Sequence, residues 1–211
     1  MEIRKPVLNK SVTDTEATID SESLAIRVES ASLSEASLEG KKLDELDFNE
    51  VAADKLSLQS STISEMRITD SIIKKSNFTG VKADNIFLER VEIENTRLQG
   101  LYLTRANMRD VIIRESKGNG LSLRFAKMKS VAFINCDLGE SDFQGAELKD
   151  VLFQNCNLKD SQFSQAKLTG VSLKGSNIEN ISLHKDSIQG LTVSIEQALY
   201  LSSIFGLIVQ D

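Results

Sequence analysis

The sequence predicts an all-β solenoid, a four-sided β-helix closed at its C-terminal end by a short α-helix. Three observations carry that prediction. A hydrophobic residue recurs at every fifth position from Val28 to Val193, a second column of smaller residues repeats every twenty, and both patterns stop at Ser194. Of the 34 positions in the first column only Gly118 is not hydrophobic. A helix of 3.6 residues per turn cannot hold a five-residue register, and a flat strand needs a period of two. A chain that turns a corner every five residues, with four sides to each coil, accounts for both five and twenty.

Residues 1 to 25 stand outside the pattern, because Thr13, Thr18 and Ser23 occupy the would-be core column. This segment is expected to be a loose cap over the first coil or partly disordered. From 26 to 193 the two columns run together. The small column falls into families twenty apart: Ala106, Ala126, Ala146 and Ala166; Val111, Val131, Val151 and Val171; Ser116, Cys136, Cys156 and Ser176. Stacked at the strand spacing, about eight to nine coils would form a rod on the order of 40 Å long, with Phe133 over Phe153 and Phe143 over Phe163. Ser116-Lys-Gly-Asn-Gly120 puts glycine in the large column, so a bulge or distorted corner is expected near 116–120. Residues 194–211 change character. Ser194 with Gln197 forms a capping box, Ile195 to Phe205 reads as a short apolar helix, Gly206 as its stop, and Leu207-Ile-Val209 as a brief tail.

Segments such as Cys136-Asp-Leu-Gly-Glu140, Ser141-Asp-Phe-Gln-Gly145 and Cys156-Asn-Leu-Lys-Asp160 closely match the pattern of a small residue, Asn or Asp, Leu or Phe, and two polar residues. On these the chain resembles the pentapeptide-repeat family over residues 26 to 193. The resemblance implies a right-handed quadrilateral β-helix with both columns pointing inward. The stretch Glu196-Gln-Ala-Leu199 followed by Phe205-Gly-Leu-Ile-Val209 is similar to the terminal helix and strand through which the quinolone-resistance members dimerise. It implies a homodimer joined through Ile195, Ala198, Leu199, Leu201, Ile204, Phe205, Leu207 and Val209. A plain cap over the last coil stands beside that reading, and both can hold.

Composition argues against an enzyme. There is no Trp, and one His, His184, follows an inward Leu and should face solvent. No catalytic, cofactor-binding or metal-binding set is expected, and no cofactor. Cys136 and Cys156 lack zinc spacing and read as buried free thiols. With no run of about 18 apolar residues and no apolar leader, a cytoplasmic protein with no membrane contact is expected.

The formal charge of −6 is uneven. Residues 1–70 carry 15 acids and 8 bases, whereas 97–129 carries Arg97, Arg105, Arg109, Arg114, Lys117, Arg124, Lys127 and Lys129 against Asp110 and Glu115. Just before the large column, where polar residues belong, stand Ala52, Ile72, Ile112, Ala132 and Leu152, joined by Ile134. If bare, Ile72, Ile112, Ala132, Ile134 and Leu152 form the candidate partner surface. The N-terminal segment could instead lie over them.

The expected function is a non-enzymatic protein-interaction scaffold with an unidentified protein partner. The alternative is a DNA-mimicking binder of type II topoisomerase (gyrase) giving quinolone protection, which the basic belt opposes. Direct nucleic-acid binding through that belt ranks lowest.

Overall fold

The computed structural model describes residues 2–8, 13–14, 18–19 and 24–210, with side chains for 2–8 and 24–210. The five-residue sides end in corners with left-handed backbone. Asn95, Asp110, Asn135, Asp150, Asn155 and Asn180 all have φ between 51° and 55°. Asn, Asp and Gly collect in this fifth column because they tolerate the left-handed region at least cost. Several corners are closed by a β-turn, as where the Ala126 N–H donates to the Leu123 carbonyl at 3.1 Å.

Successive coils pair in parallel with a step of twenty. Asn107–Arg114, Lys127–Ile134 and Glu147–Gln154 align Val111 with Val131 and Val151, and Ile113 with Phe133 and Phe153. Ile86–Glu94 and Thr62–Lys74 extend the same ladder toward the N-terminus. At that end, Thr18–Ile19 pairs antiparallel with Ile26 and Arg27, and Thr13–Asp14 pairs with Ala31 and Ser32. The side chains of Thr13, Thr18 and Ser23, on which the expectation of a loose cap or partly disordered segment rested, lie outside the described ones.

The result is a parallel β-solenoid of about 7 turns with one C-terminal helix. That is slightly fewer coils than the repeat length suggested. The last coil is opened by a 3-10 turn at Lys185–Ser187, and Leu183, Leu191 and Val193 are only half-buried.

The large column is the core. Phe133 and Phe153 stack with centroids 5.1 Å apart and planes within 3°, and Phe143 and Phe163 stack at 4.5 Å. The two stacks meet edge to face, Phe143 against Phe153 at 5.5 Å, the geometry that ring quadrupoles favour.

Hydroxyls in the small column are buried yet fully used. The Ser116 hydroxyl accepts from the Thr96 N–H of the preceding coil at 3.1 Å and donates to the Arg114 carbonyl at 2.8 Å; Thr96 and Ser76 repeat the arrangement. Satisfied in this way, a buried hydroxyl costs little. Cys136 and Cys156 continue the column, their thiols donating to the Ile113 and Phe133 carbonyls.

The distortion expected at 116–120 does not occur. Lys117 stays in register between Arg97 and Asp137, and the Gly118 N–H donates to the Asp137 carbonyl at 2.7 Å. A Cβ at Gly118 would lie 3.0 Å from Leu138 Cδ2 and 3.7 Å from Leu121 Cδ2, so neighbouring leucines already fill the place of the missing side chain. Gly120 is an ordinary left-handed corner with φ +68°.

Candidate interaction surfaces

The C-terminal helix, Ile195–Ile204, begins with the expected capping box. Ser194 Oγ accepts from the Gln197 N–H, and Gln197 Oε1 accepts from the Ser194 N–H. The buried Gln197 side chain also donates from Nε2 to the carbonyls of Leu173 at 2.8 Å and Ser176 at 2.7 Å. One residue therefore caps both the helix and carbonyls at the open end of the rod. Tyr200 adds a second tie, its hydroxyl accepting from the Asn180 N–H at 2.7 Å.

This seating divides the expected dimer residues into two sets. Leu201 is buried and Phe205 half-buried against the core, so both contribute to the cap over the last coil. A ten-residue helix lying on a flat coil end must spend one stripe on that contact. Ile195, Ala198, Leu199, Ile204, Leu207 and Val209 remain exposed, and Ile208 joins them. Leu207, Ile208 and Val209 extend this outward face beyond the helix.

On the side of the rod, Ala52, Ile72, Glu92, Ile112, Ala132 and Leu152 stack in register as their spacing implied. They are not a bare stripe. Ile112 and Ala132 are buried, at 8% and 2% exposure, and Ile72, Ile134 and Leu152 are half-buried. Residues 2–8 cross this side of the rod. Arg4 Nε donates to Asp110 Oδ2 at 2.7 Å, and the Val7 N–H donates to Asp70 Oδ1 at 3.3 Å. Those three residues of extended chain cover about 10 Å, the height of two coil steps, so the segment runs along the rod axis as a strap. Ile3, Pro6 and Leu8 are half-buried, whereas Val7 is exposed. The strap is anchored to acids that are already organised. The Arg90 guanidinium, aided by the Val7 N–H, holds the Asp70 carboxyl below the usual carboxylate range, and the Asp110 side chain is nearly buried beneath Arg4. No periodicity marks residues 2–8, so Arg4 carried no sequence signal of its docking place.

The basic segment 97–129 is divided among the faces of the rod. Arg97 and Lys117 stack on one face, Arg114 is paired with Glu92, and Arg105 and Arg124 flank Phe125 at a corner. On the adjoining face Arg109 and Lys129 are joined by Lys149, which the linear reading omitted because it lies beyond the segment. Glu2, Arg4, Arg109, Asp110, Lys129 and Ser130 line a small open cleft at the edge of this column.

His184 is exposed, its Nδ1 accepting from the Asp186 N–H at the start of the 3-10 turn. The neighbouring Cys136 thiol, together with burial, pushes the Cys156 thiol up, so Cys156 is held protonated.

The family model described as a pentapeptide repeat region matches residues 86–163 and 120–192. Among solved structures, the chain is similar to full-length QnrB1, a plasmid-mediated fluoroquinolone resistance protein, with 16% identity, 84% of this chain and 100% of that chain covered, and a TM-score of 0.36. It is also similar to HetL, a pentapeptide repeat protein involved in heterocyst differentiation regulation from the cyanobacterium Nostoc sp. There the identity is 15%, with 79% of this chain and 86% of that chain covered and a TM-score of 0.40. No curated protein matches the sequence significantly.

Proposed function

The chain belongs to the pentapeptide-repeat family, and from that premise we propose that it is a non-enzymatic protein-interaction module working through its outer faces. The observation that carries this reading is the filled interior. The large side chains from Phe48 to Phe163 are almost wholly buried in stacked columns, which leaves recognition to the outward ladders. The exposed apolar face of the C-terminal helix and tail supports a two-fold dimer, with the outer faces of both copies free for a partner. The free thiols of Cys136 and Cys156 fit a reducing, cytoplasmic setting.

Photo-crosslinking tests the module directly. A photoreactive phenylalanine is placed singly at Lys127, Leu152, Asn157 and Gln162, one on each face, and cells expressing the protein are irradiated. One discrete heterologous adduct from a single face is expected. Adducts from no face, or the same smear from all four, would refute the reading.

A DNA-imitating topoisomerase binder would need a continuous acidic flank to replace phosphates. The stacked Arg109, Lys129 and Lys149 weigh against it. Gyrase supercoiling with a fluoroquinolone separates the two: protection of supercoiling by this protein would restore the mimic, and unchanged inhibition removes it.

A further inference from the structure

Resting on the interaction-module reading, we propose that one side of the rod docks an acidic polypeptide segment, bound by the stacked cations Arg109, Lys129 and Lys149 near one corner and by Phe125, set between two guanidinium groups, at the other.

Charges elsewhere on the rod are often stacked with opposite signs one coil apart. Lys55 meets Glu35 at 2.6 Å, Lys74 meets Glu94 at 3.1 Å, Lys159 meets Glu179 at 2.9 Å and Lys167 meets Glu147 at 2.9 Å. Arg109 lies opposite Glu89 on one side, but from Arg109 to Lys129 to Lys149 the column breaks this arrangement. The three are exposed, occupy one outward column on neighbouring strands, and form no ion pair among the described residues. Like charges directly opposite on adjacent strands are destabilising, so the column weakens the free rod and becomes favourable once an anion lies across it.

Phe125 supplies a second, independent signal. It is a bulky residue at φ +56°, a conformation that ordinarily falls to glycine or asparagine, and it is 43% exposed. The left-handed conformation is common to the corners, Arg105 and Gln165 of the same column included, so what sets Phe125 apart is a large apolar ring displayed on the outside of the rod. The guanidinium carbons of Arg105 and Arg124 each lie 5.7 Å from the ring centroid. Phe125 and Lys129 are four residues apart along one run of chain, about 13 Å if extended, so ring and column belong to one footprint.

The chemistry favours a polypeptide over a nucleic acid. Base stacking needs a free ring face, yet the Phe125 ring lies against Gly145, where an added Cβ would sit 2.6 Å from Cδ1 and Cε1, and two guanidinium groups stand beside it. A net charge of −6 repels a long polyanion beyond the corner. A short segment with carboxylates beside an apolar side chain meets both features, since Arg binds carboxylates bidentately and Arg and aromatic residues dominate protein interfaces. The coil step of about 4.8 Å approaches the roughly 5–6 Å between side chains three or four apart on a helix. An acidic helix laid along the rod axis would present one carboxylate per coil. The chain's own Glu2 already shares the cleft with Arg109 and Lys129.

The probe is a fluorescein-labelled helical peptide with Glu at every fourth position and a flanking Leu stripe, titrated with the full chain by fluorescence anisotropy. The Lys129→Glu/Lys149→Glu pair should weaken binding by about tenfold or more, and Phe125→Gly by about fivefold. Arg97→Glu/Lys117→Glu makes the same charge change on another face and should shift affinity less than about twofold. Lys129→Glu alone sets a carboxylate between Arg109 and Lys149 and so relieves repulsion, and glycine suits the corner of Phe125, so these two single variants should melt no lower than the parent, and Lys129→Glu alone should also weaken binding. The proposal is overturned if the control pair loses as much affinity, if an oligothymidylate binds tighter than the peptide, or if the parent does not bind at low salt. Should crosslinking place a partner on another face, the module reading survives and the assignment to this face fails.

Discussion

Replacing Gln197 with alanine tests how the end of the rod is sealed. Its side chain accepts from the Ser194 N–H and donates to the carbonyls of Leu173 and Ser176. The Leu173 carbonyl keeps the Ser176 N–H as a donor at 3.0 Å, so the loss falls on the Ser176 carbonyl and costs about 1 kcal/mol at the low end of the range, because lifting the helix admits water. Loss of half the capping box adds about 1 kcal/mol. The total of about 2 kcal/mol corresponds to about one and a half decades in an opening equilibrium. Coils in a solenoid depend mainly on their neighbours, so the loss should stay local to the last coil. Hydrogen exchange read by mass spectrometry should show amides of 171–204 exchanging about thirtyfold faster in Gln197→Ala, with 130–165 unchanged. Ala198→Glu, on the outward side of the same helix, should leave both regions alone. Exchange in Gln197→Ala within a factor of about three of the parent would refute the double-cap assignment.

Three other outcomes follow from the same geometry. Phe153→Ala removes a ring stacked on Phe133 and edge-packed on Phe143 and Phe163, and should cost about 3–5 kcal/mol in urea unfolding. The Asp70 carboxyl is held low by Arg90, so its contribution is complete above the ordinary carboxylate pKa and is lost as pH falls through the depressed value. Asp70→Asn should therefore lower the melting temperature at neutral pH, with the gap to the parent closing in acid. Leu199→Glu/Leu207→Glu alters residues 51% and 64% exposed, and should turn the proposed dimer into a folded monomer by light scattering; a parent of monomer mass would remove the dimer proposal. Leu201→Glu, by contrast, should loosen the cap.

The repeat made most of the fold legible. Register, inward columns, Phe stacks and capping box were all readable because in a solenoid each residue's neighbours lie twenty positions away, a fixed distance that sequence alone can count. Gly118 shows the limit of counting. A glycine in a core column looks like a defect in one dimension, yet Leu121 and Leu138 fill its place in three.

What the sequence by itself determined was the period, and with it which side chains point in and which point out. Tertiary structure decided what covers the outward ones. Arg4 finds Asp110 across 106 positions with no repeat to guide it, and Leu201 turns toward the coil while Leu199 turns away. The column of Arg109, Lys129 and Lys149, spaced by twenty, was by contrast countable in the sequence. Periodicity encodes contacts at a constant spacing; a strap and a cap depend on where non-repeating chain comes to rest.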